Sequence, residues 1–114
     1  WQDTTWKHQV FIYKPAVIRS DSQALLLVDG GAWKPELEAP AKEGEDLPGN
    51  AKILLQAADI LQAPIVVVRQ VPQQPLFNDL YEDAIISLTF MKFMQTGQGD
   101  WPLLLPMVKS AVRA

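Results

Sequence analysis

Two short apolar runs, one on each side of an amphipathic stretch, constrain the fold of this chain more than any other feature. Residues 24–28 (ALLLV) and 65–68 (IVVV) are too short and too uniformly apolar for amphipathic helices, and they are typical of strands buried on both faces. Between them, Asn50 is a candidate N-cap for a helix of about three turns. Apolar residues at helical spacing mark one face of that helix: Ile53, Leu54, Ala57, Ala58 and Leu61. A strand–helix–strand order predicts a parallel pair with a right-handed crossover, and therefore an α/β fold.

Three further elements flank this unit. Residues 6–13 (WKHQVFIY) are rich in aromatic and β-branched types and end just before a proline, which predicts another strand. Asp79 is a candidate cap for a helix that ends at Gly97. Its apolar residues extend around more than one side, so we expect it to pack between the sheet and another element. A last helical face is predicted after Pro106. Strand 65–68 is expected to present an uncovered edge that favours association with another chain.

The composition narrows the class of protein. With 114 residues, 48% of them apolar, and a net charge of −3, the chain is long enough for one domain with one core. Its lysines and arginines are scattered, which argues against a nucleic-acid partner, and no apolar run approaches the roughly 20 residues that cross a bilayer. The absence of cysteine excludes disulfides and thiolate metal sites. Residues 34–49, rich in Pro, Gly, Glu and Lys, are predicted to form a long acidic surface loop that matches no calcium loop, so we expect no metal site.

A candidate site lies where LLLVDGGAW leaves the second strand. The glycines of this stretch follow the carboxyl end of that strand, and the segment 69–79 (RQVPQQPLFND) leaves the same edge of the sheet, where α/β folds bind ligands. The glycines have two interpretations: a turn that needs positive φ, or a bend whose backbone N–H groups hold a phosphate or an oxyanion. Phosphate is the poorer fit because no third glycine follows at dinucleotide-binding spacing. On the oxyanion interpretation the donors come from Gly30, Gly31 and Ala32, and the rim of the pocket comprises Asp29, Trp33, Arg69 and Gln70.

No catalytic residue is predicted within the chain. His8 is the only histidine and has no nucleophile near it in sequence, so a structural role is expected. Ser20, Ser22, Ser87 and Ser110 lie in no elbow-like setting, and Ser87 falls inside a predicted helix. The chain alone therefore offers no catalytic triad, and we expect no cofactor.

Several stretches resemble the PhoPQ-activated pathogenicity-related protein family. They are WKHQVFIYKP, ALLLVDGG, RQVPQQPLFND, YEDAIISLTFMKF and, most specifically, TGQGDWPLLLPMVKSAVRA. The resemblance runs over residues 6–114 and leaves out only the acidic loop. It implies an exported bacterial protein, secreted or periplasmic, with a three-layer α/β-hydrolase-like fold and a mostly parallel sheet. In such a fold the loop after the third strand supplies an oxyanion donor, which favours that interpretation of Gly30 and Gly31.

The resemblance also implies that residues 1–114 are the amino-terminal part of one longer hydrolase-like domain. The chain starts without a methionine or a leader, and its last helix reaches Ala114 without a stop signal, so we expect a fragment. The serine nucleophile, the acid and the histidine would then follow beyond Ala114. The favoured function is acyl or peptide hydrolysis of a small ester or peptide substrate, with the rest of the polypeptide as the main partner.

Asp29 distinguishes this function from its alternatives. It stands where many esterases have histidine, and a carboxylate opposes an oxyanion unless it points away or pairs with a cation such as Arg69. A non-catalytic envelope-protection or binding protein that keeps the hydrolase fold would tolerate this aspartate. A small flavodoxin-like nucleotide binder is a third hypothesis.

Overall fold

In the computed structural model, which describes residues 5–19, 21, 23–39 and 49–114, three short strands and three α-helices account for the regular structure. One 3-10 turn, Pro35–Glu38, lies in the segment predicted to be a long loop, and residues 40–48 of that loop fall outside the described part, as do Ser20 and Ser22. In chain order the elements are β1 (Val10–Tyr13), β2 (Leu25–Val28), α1 (Ala51–Leu61), β3 (Ile65–Val68), α2 (Glu82–Thr96) and α3 (Leu104–Arg113).

The sheet has the order β1-β3-β2 and is mixed. β2 and β3 run parallel, with Leu25 opposite Ile65, whereas β1 runs antiparallel to β3, with Tyr13 also opposite Ile65. The predicted parallel pair and the α/β class are confirmed, but the expectation of a mostly parallel sheet is wrong for these strands, because one of the two pairings is antiparallel. β3 lies in the centre, so the predicted uncovered edge of residues 65–68 is also wrong. In the described part of the chain, the unpaired edges belong to β1 and β2.

Helix α1 covers one face of the sheet. Ala58 is fully buried and Ala51 is 3% exposed, and these small side chains let the helix approach closely over Tyr13, Ile65 and Val67. The helix predicted from the apolar spacing is thus confirmed, but its predicted apolar face is only partly right, because Ile53 and Leu61 are 67% and 50% exposed. The opposite face of the sheet is largely uncovered by the described residues. Its exposed side chains are Val10, Ile12, Leu26 and Val28, each between 40 and 58% accessible.

A second apolar cluster lies beyond the carboxyl end of β3. Leu76, Ile85 and Leu103 are its buried members, and they join the loop after β3 to α2 and to the start of α3. The side chain of Thr89 on α2 is fully buried and its Oγ1 accepts a hydrogen bond from the Leu103 N–H at 3.3 Å. Met94 is 83% exposed, however, so the prediction that α2 packs between the sheet and another element is wrong within the described residues.

The helix ends were only partly predictable. Gly97 ends α2 in the left-handed region (φ 69°), with its N–H donating to the Phe93 carbonyl at 2.8 Å, as predicted. The predicted cap Asp79 is wrong, because α2 begins at Glu82 and Asp79 lies in the preceding turn with φ 67°. Asn50 does precede α1, although its side chain makes no capping hydrogen bond. Across the described ranges, we find no helix with the length and apolar character needed to cross a membrane.

Candidate functional site

The carboxyl ends of β2 and β3 continue into two loops that are hydrogen-bonded to each other. We call residues 29–33 the glycine loop and residues 69–76 the glutamine loop. Four backbone hydrogen bonds extend the parallel pairing past the strands: Asp29 N–H to Val68 O (2.8 Å), Val71 N–H to Asp29 O (3.1 Å), Gln70 N–H to Gly30 O (3.2 Å) and Trp33 N–H to Gln74 O (3.0 Å). The sheet edge therefore brings together the two segments that the sequence placed there, and it fixes both ends of the glycine loop.

Backbone N–H groups in the middle of the glycine loop are free. Within the described part of the chain, no hydrogen bond engages the N–H of Gly30, Gly31 or Ala32, although those of Asp29 and Trp33 on either side are engaged. The carbonyls of Asp29 and Gly30 accept from the glutamine loop, and in a trans peptide the N–H points opposite to the carbonyl. The N–H groups of Gly30 and Gly31 therefore point away from β3, toward the unpaired side of β2.

Glycine is required at position 31 by its backbone conformation. Its φ is +126°, a value that residues with a Cβ atom rarely adopt. A Cβ at Gly30 would lie 3.8 Å from Gln74 Nε2, and one at Gly31 would lie 4.0 Å from Gln70 Nε2. These are ordinary contact distances, so the need for glycine at position 31 comes from the φ angle and not from crowding. Both interpretations of the glycines are thus compatible with the geometry: a turn with positive φ that also leaves N–H groups unengaged.

Charged and aromatic side chains flank the loop. Asp29 Oδ2 lies 3.4 Å from Arg69 Nε, and the two side chains are 59% and 37% exposed. The Arg69 Nε atom is itself enclosed and makes no hydrogen bond, so the pair is held by charge alone. Trp33 is half-buried, with Lys7 Nζ 5.9 Å from its ring centroid, and Lys7 forms an ion pair with Glu38. The carboxylate beside the free N–H groups therefore faces a cation.

Hydrogen bonds of Gln70 and His8 connect the glutamine loop to the residues that precede β1. Gln70 is 2% exposed, and its amide accepts from the Gln9 N–H at 3.0 Å and donates to Gln9 Oε1 at 3.2 Å. His8 Nδ1 lies 3.2 and 3.1 Å from the carbonyl oxygens of Arg69 and Gln70. Carbonyls only accept, so Nδ1 carries a proton in this arrangement. His8 thus ties the segment that precedes β1 to the glutamine loop.

Gln74 is a site residue that the sequence reasoning missed. It is 3% exposed, its carbonyl holds Trp33, and its Oε1 accepts from the Glu82 N–H at 2.7 Å. The backbone around it is strained: of the six non-glycine residues with positive φ in the described part, five lie between positions 70 and 82. The available signal was the pair of glutamines between prolines in QVPQQP, in the loop that follows the carboxyl end of a predicted parallel strand.

A cleft of about 750 Å³ opens near the same edge, on the face of the sheet that α1 does not cover. Its walls are Trp6, His8, Val10 and Val68 on one side and, on α3, Leu105, Pro106, Lys109, Ser110 and Arg113. A smaller cavity of about 280 Å³ lies beside Asp29 and Arg69, next to Asn50 at the start of α1. No sequence pattern indicates the larger cleft, because the residues that line it lie far apart along the chain, near β1, on β3 and on α3.

Comparison with known proteins identifies one family. The family model described as PhoPQ-activated pathogenicity-related protein matches residues 1–114, which is the whole chain. Comparisons with curated proteins and with solved structures gave no match.

Proposed function

We propose, from the premise that this chain belongs to the PhoPQ-activated pathogenicity-related protein family, that it forms the amino-terminal part of an exported α/β-hydrolase-like enzyme. The enzyme hydrolyses a small ester or peptide through an acyl intermediate. The serine nucleophile lies in the remainder of the polypeptide, and the glycine loop supplies backbone donors for the oxyanion. The observation that carries this proposal is the set of unengaged N–H groups at Gly30, Gly31 and Ala32 between two fixed loop ends.

The topology supports this assignment. In α/β-hydrolases, one oxyanion donor comes from the loop that follows the third strand and precedes the first helix of the sheet. The glycine loop follows β2 and precedes α1, so it has the same position along the chain. The order β1-β3-β2, with only β1 reversed, is the order of the second, fourth and third strands in such a sheet. A three-layer hydrolase-like domain is the fold that we propose for the whole protein.

Exposed apolar surface supports a larger domain that the rest of the polypeptide completes. Leu26 and Val28 are 40% and 46% exposed on a sheet face that soluble proteins normally cover. The outer edge of β2 has no partner strand among the described residues, and an open apolar edge is normally paired or covered. A strand added there would end beside the N–H groups of Gly30 and Gly31. Export to the periplasm or medium is part of the proposal and rests on the family resemblance.

Hydrolysis of an ester or peptide requires hydrogen-bond donors at the place where negative charge develops on the carbonyl oxygen. When a nucleophile attacks an acyl carbon, the carbonyl oxygen becomes negatively charged, and preorganised N–H donors about 2.7–3.1 Å away stabilise it. Gly30 and Gly31 are preorganised because the carbonyls of Asp29 and Gly30 are held by the glutamine loop. No rearrangement of the loop is needed before an oxyanion binds.

We expect the full-length protein to hydrolyse p-nitrophenyl butyrate and to react with a fluorophosphonate probe. Because none of the four serines in residues 1–114 lies in an elbow-like sequence setting, peptide mapping should place the label on a serine outside these residues. Absence of both hydrolysis and labelling would favour the non-catalytic binding or envelope-protection function, for which the carboxylate of Asp29 beside the loop is the motivating observation. A label on any of the four serines within residues 1–114 would contradict the proposed location of the nucleophile.

Substitutions at the Asp29–Arg69 ion pair give a second test of the proposed hydrolase function. Arg69→Met leaves the Asp29 carboxylate uncompensated beside the oxyanion donors, and we expect kcat/KM to fall about tenfold, a modest value because both side chains are partly exposed. The double variant Asp29→Asn/Arg69→Met removes the opposing charge, so its kcat/KM should recover to within about twofold of wild type. Arg19→Met and Asp21→Asn break an exposed ion pair elsewhere and are the matched controls. A double variant as slow as Arg69→Met would mean that Arg69 acts otherwise than by neutralising Asp29.

A further inference from the structure

We propose that the smaller cavity, at the start of α1, binds a small molecule that carries a single carboxylate, a function separate from the hydrolysis proposed above. Its volume of about 280 Å³ lies just below the range of pockets for drug-sized ligands, so it suits a smaller molecule. Phe11, Tyr13 and Val67 line it on the face of the sheet that α1 covers. The glycines of the glycine loop do not line it, so this cavity is distinct from the proposed oxyanion site.

The hydroxyl of Tyr13 is an unused hydrogen-bond donor in this cavity. Tyr13 is 5% exposed, and its hydroxyl makes no hydrogen bond within the described part of the chain. Along the sheet, Tyr13 lies two residues, about 7 Å, further than Phe11 from the end of β3 where Arg69 follows. The ring of Tyr13 therefore reaches the cavity with its outer end, which carries the hydroxyl. A nearly buried hydroxyl without a partner is costly unless a ligand accepts its hydrogen bond.

The start of α1 adds backbone donors to the same cavity. Gly49 and Asn50, which directly precede the 11 residues of α1, both line it. The first hydrogen bond of the helix runs from the Leu54 N–H to the Asn50 carbonyl, and no hydrogen bond engages the N–H groups of residues 51–53 among the described residues. The Asn50 side chain makes no capping hydrogen bond either. A carboxylate bound in the cavity would therefore cap the uncapped end of α1, where the helix dipole is positive.

The charges around the cavity favour a ligand with one negative charge. Asp29 and Arg69 both line the cavity, and their charges offset each other because Asp29 Oδ2 lies 3.4 Å from Arg69 Nε. The guanidinium of Arg69 makes no hydrogen bond within the described part of the chain, so its terminal N–H groups are available to a ligand. The start of α1 then adds about half a positive charge. One carboxylate matches this balance, whereas an ion with two negative charges, such as hydrogen phosphate, exceeds it beside Asp29.

Tyr13→Phe in the full-length protein tests this site, with Tyr81→Phe as the matched control. Each variant removes one hydroxyl and changes no charge, but Tyr81 is 49% exposed and does not line the cavity. Calorimetry at neutral pH gives the Kd of propionate and of inorganic phosphate. We expect Tyr13→Phe to weaken propionate binding about tenfold and Tyr81→Phe to leave it unchanged, with phosphate bound at least about tenfold more weakly than propionate by the wild type. The thermal midpoint of ligand-free Tyr13→Phe should not fall, because no hydrogen bond of the free protein is lost.

Asn50→Asp is a second variant, which supplies a carboxylate from the chain itself. An aspartate at this position can cap α1, so we expect the thermal midpoint to rise and propionate binding to weaken about tenfold or more. Asn78→Asp adds the same charge at an exposed residue that does not line the cavity, and it should bind propionate like the wild type.

The outcomes separate this site from the hydrolase function, because calorimetry needs no turnover. Absence of propionate binding by the wild type would overturn the site, as would binding that Tyr13→Phe and Asn50→Asp both leave unchanged. Phosphate bound as tightly as propionate would overturn the preference for a single charge. A lower thermal midpoint of ligand-free Tyr13→Phe would show that the hydroxyl serves the fold and not a ligand. Propionate binding with the expected losses, in a protein that does not hydrolyse p-nitrophenyl butyrate, would support the site and count against the hydrolase alone.

Discussion

Alanine at position 31 is expected to lower kcat for ester hydrolysis about 100-fold, because it removes one preorganised oxyanion donor. Gly31 has φ +126°, and a residue with a Cβ relieves the strain of such an angle, about 1–3 kcal/mol, by rotating the peptide. The Gly31 N–H then turns away from the unpaired side of β2. KM should change little, since the lost hydrogen bond stabilises mainly the transition state and not the bound substrate. Steady-state kinetics of full-length Gly31→Ala on p-nitrophenyl butyrate measure both constants.

Gly99→Ala is the control for this variant. Gly99 lies between α2 and α3, its φ is not in the left-handed region, and a Cβ there would meet nothing within 4 Å. The added methyl at position 31 would also meet nothing closer than 4.0 Å, so the two variants differ in backbone conformation and not in crowding. We expect Gly99→Ala to keep wild-type kinetics. Wild-type kcat in Gly31→Ala would show that the glycine loop only turns the chain.

The central strand–helix–strand unit could be predicted because its signals are local. Residues 65–68 are continuously apolar, and the apolar residues of α1 recur at helical spacing. The direction of β1 was not predictable, because the alternation of Val10 and Ile12 with Phe11 and Tyr13 reads the same in both directions. The central place of β3 depends on that pairing, which is why the unpaired edge was assigned to the wrong strand.

The site was predictable where it follows from topology and not where it depends on long-range contacts. The positions of the glycine and glutamine loops follow from the rule that parallel strands bring their carboxyl ends to one edge. The start of α2 could not be predicted from the sequence, because its first N–H donates to Gln74, eight residues upstream, and not to a local cap such as Asp79. The same contact that displaced the predicted helix start also orients the Gln74 amide toward Gly30. The wrong start predicted for α2 and the failure to predict Gln74 as a site residue thus have the same cause, the contact between Gln74 and the Glu82 N–H.

Replacing Ile65 with alanine is expected to lower the free energy of unfolding by about 2–5 kcal/mol, the range for large-to-small changes in a packed core. Ile65 is 1% exposed and begins the central strand, between Tyr13 on β1 and Leu25 on β2. Its side chain belongs to the cluster under Ala58 of α1, so the cavity would open between the sheet and the helix. Urea unfolding of the full-length protein, followed by intrinsic fluorescence, gives the change.

Ile60→Ala is the matched control, because Ile60 lies on α1 and is 83% exposed. If α1 faces solvent on that side in the whole protein, the free energy of unfolding should change by less than about 0.5 kcal/mol. A loss above about 1.5 kcal/mol would instead mean that another segment packs over the outer face of α1. Ile53 is 67% exposed and lies two turns earlier on the same face, so Ile53→Ala should then show a similar loss. The variants Ile60→Ala and Ile53→Ala together thus report whether α1 belongs to an outermost layer. A three-layer hydrolase-like domain requires that it does.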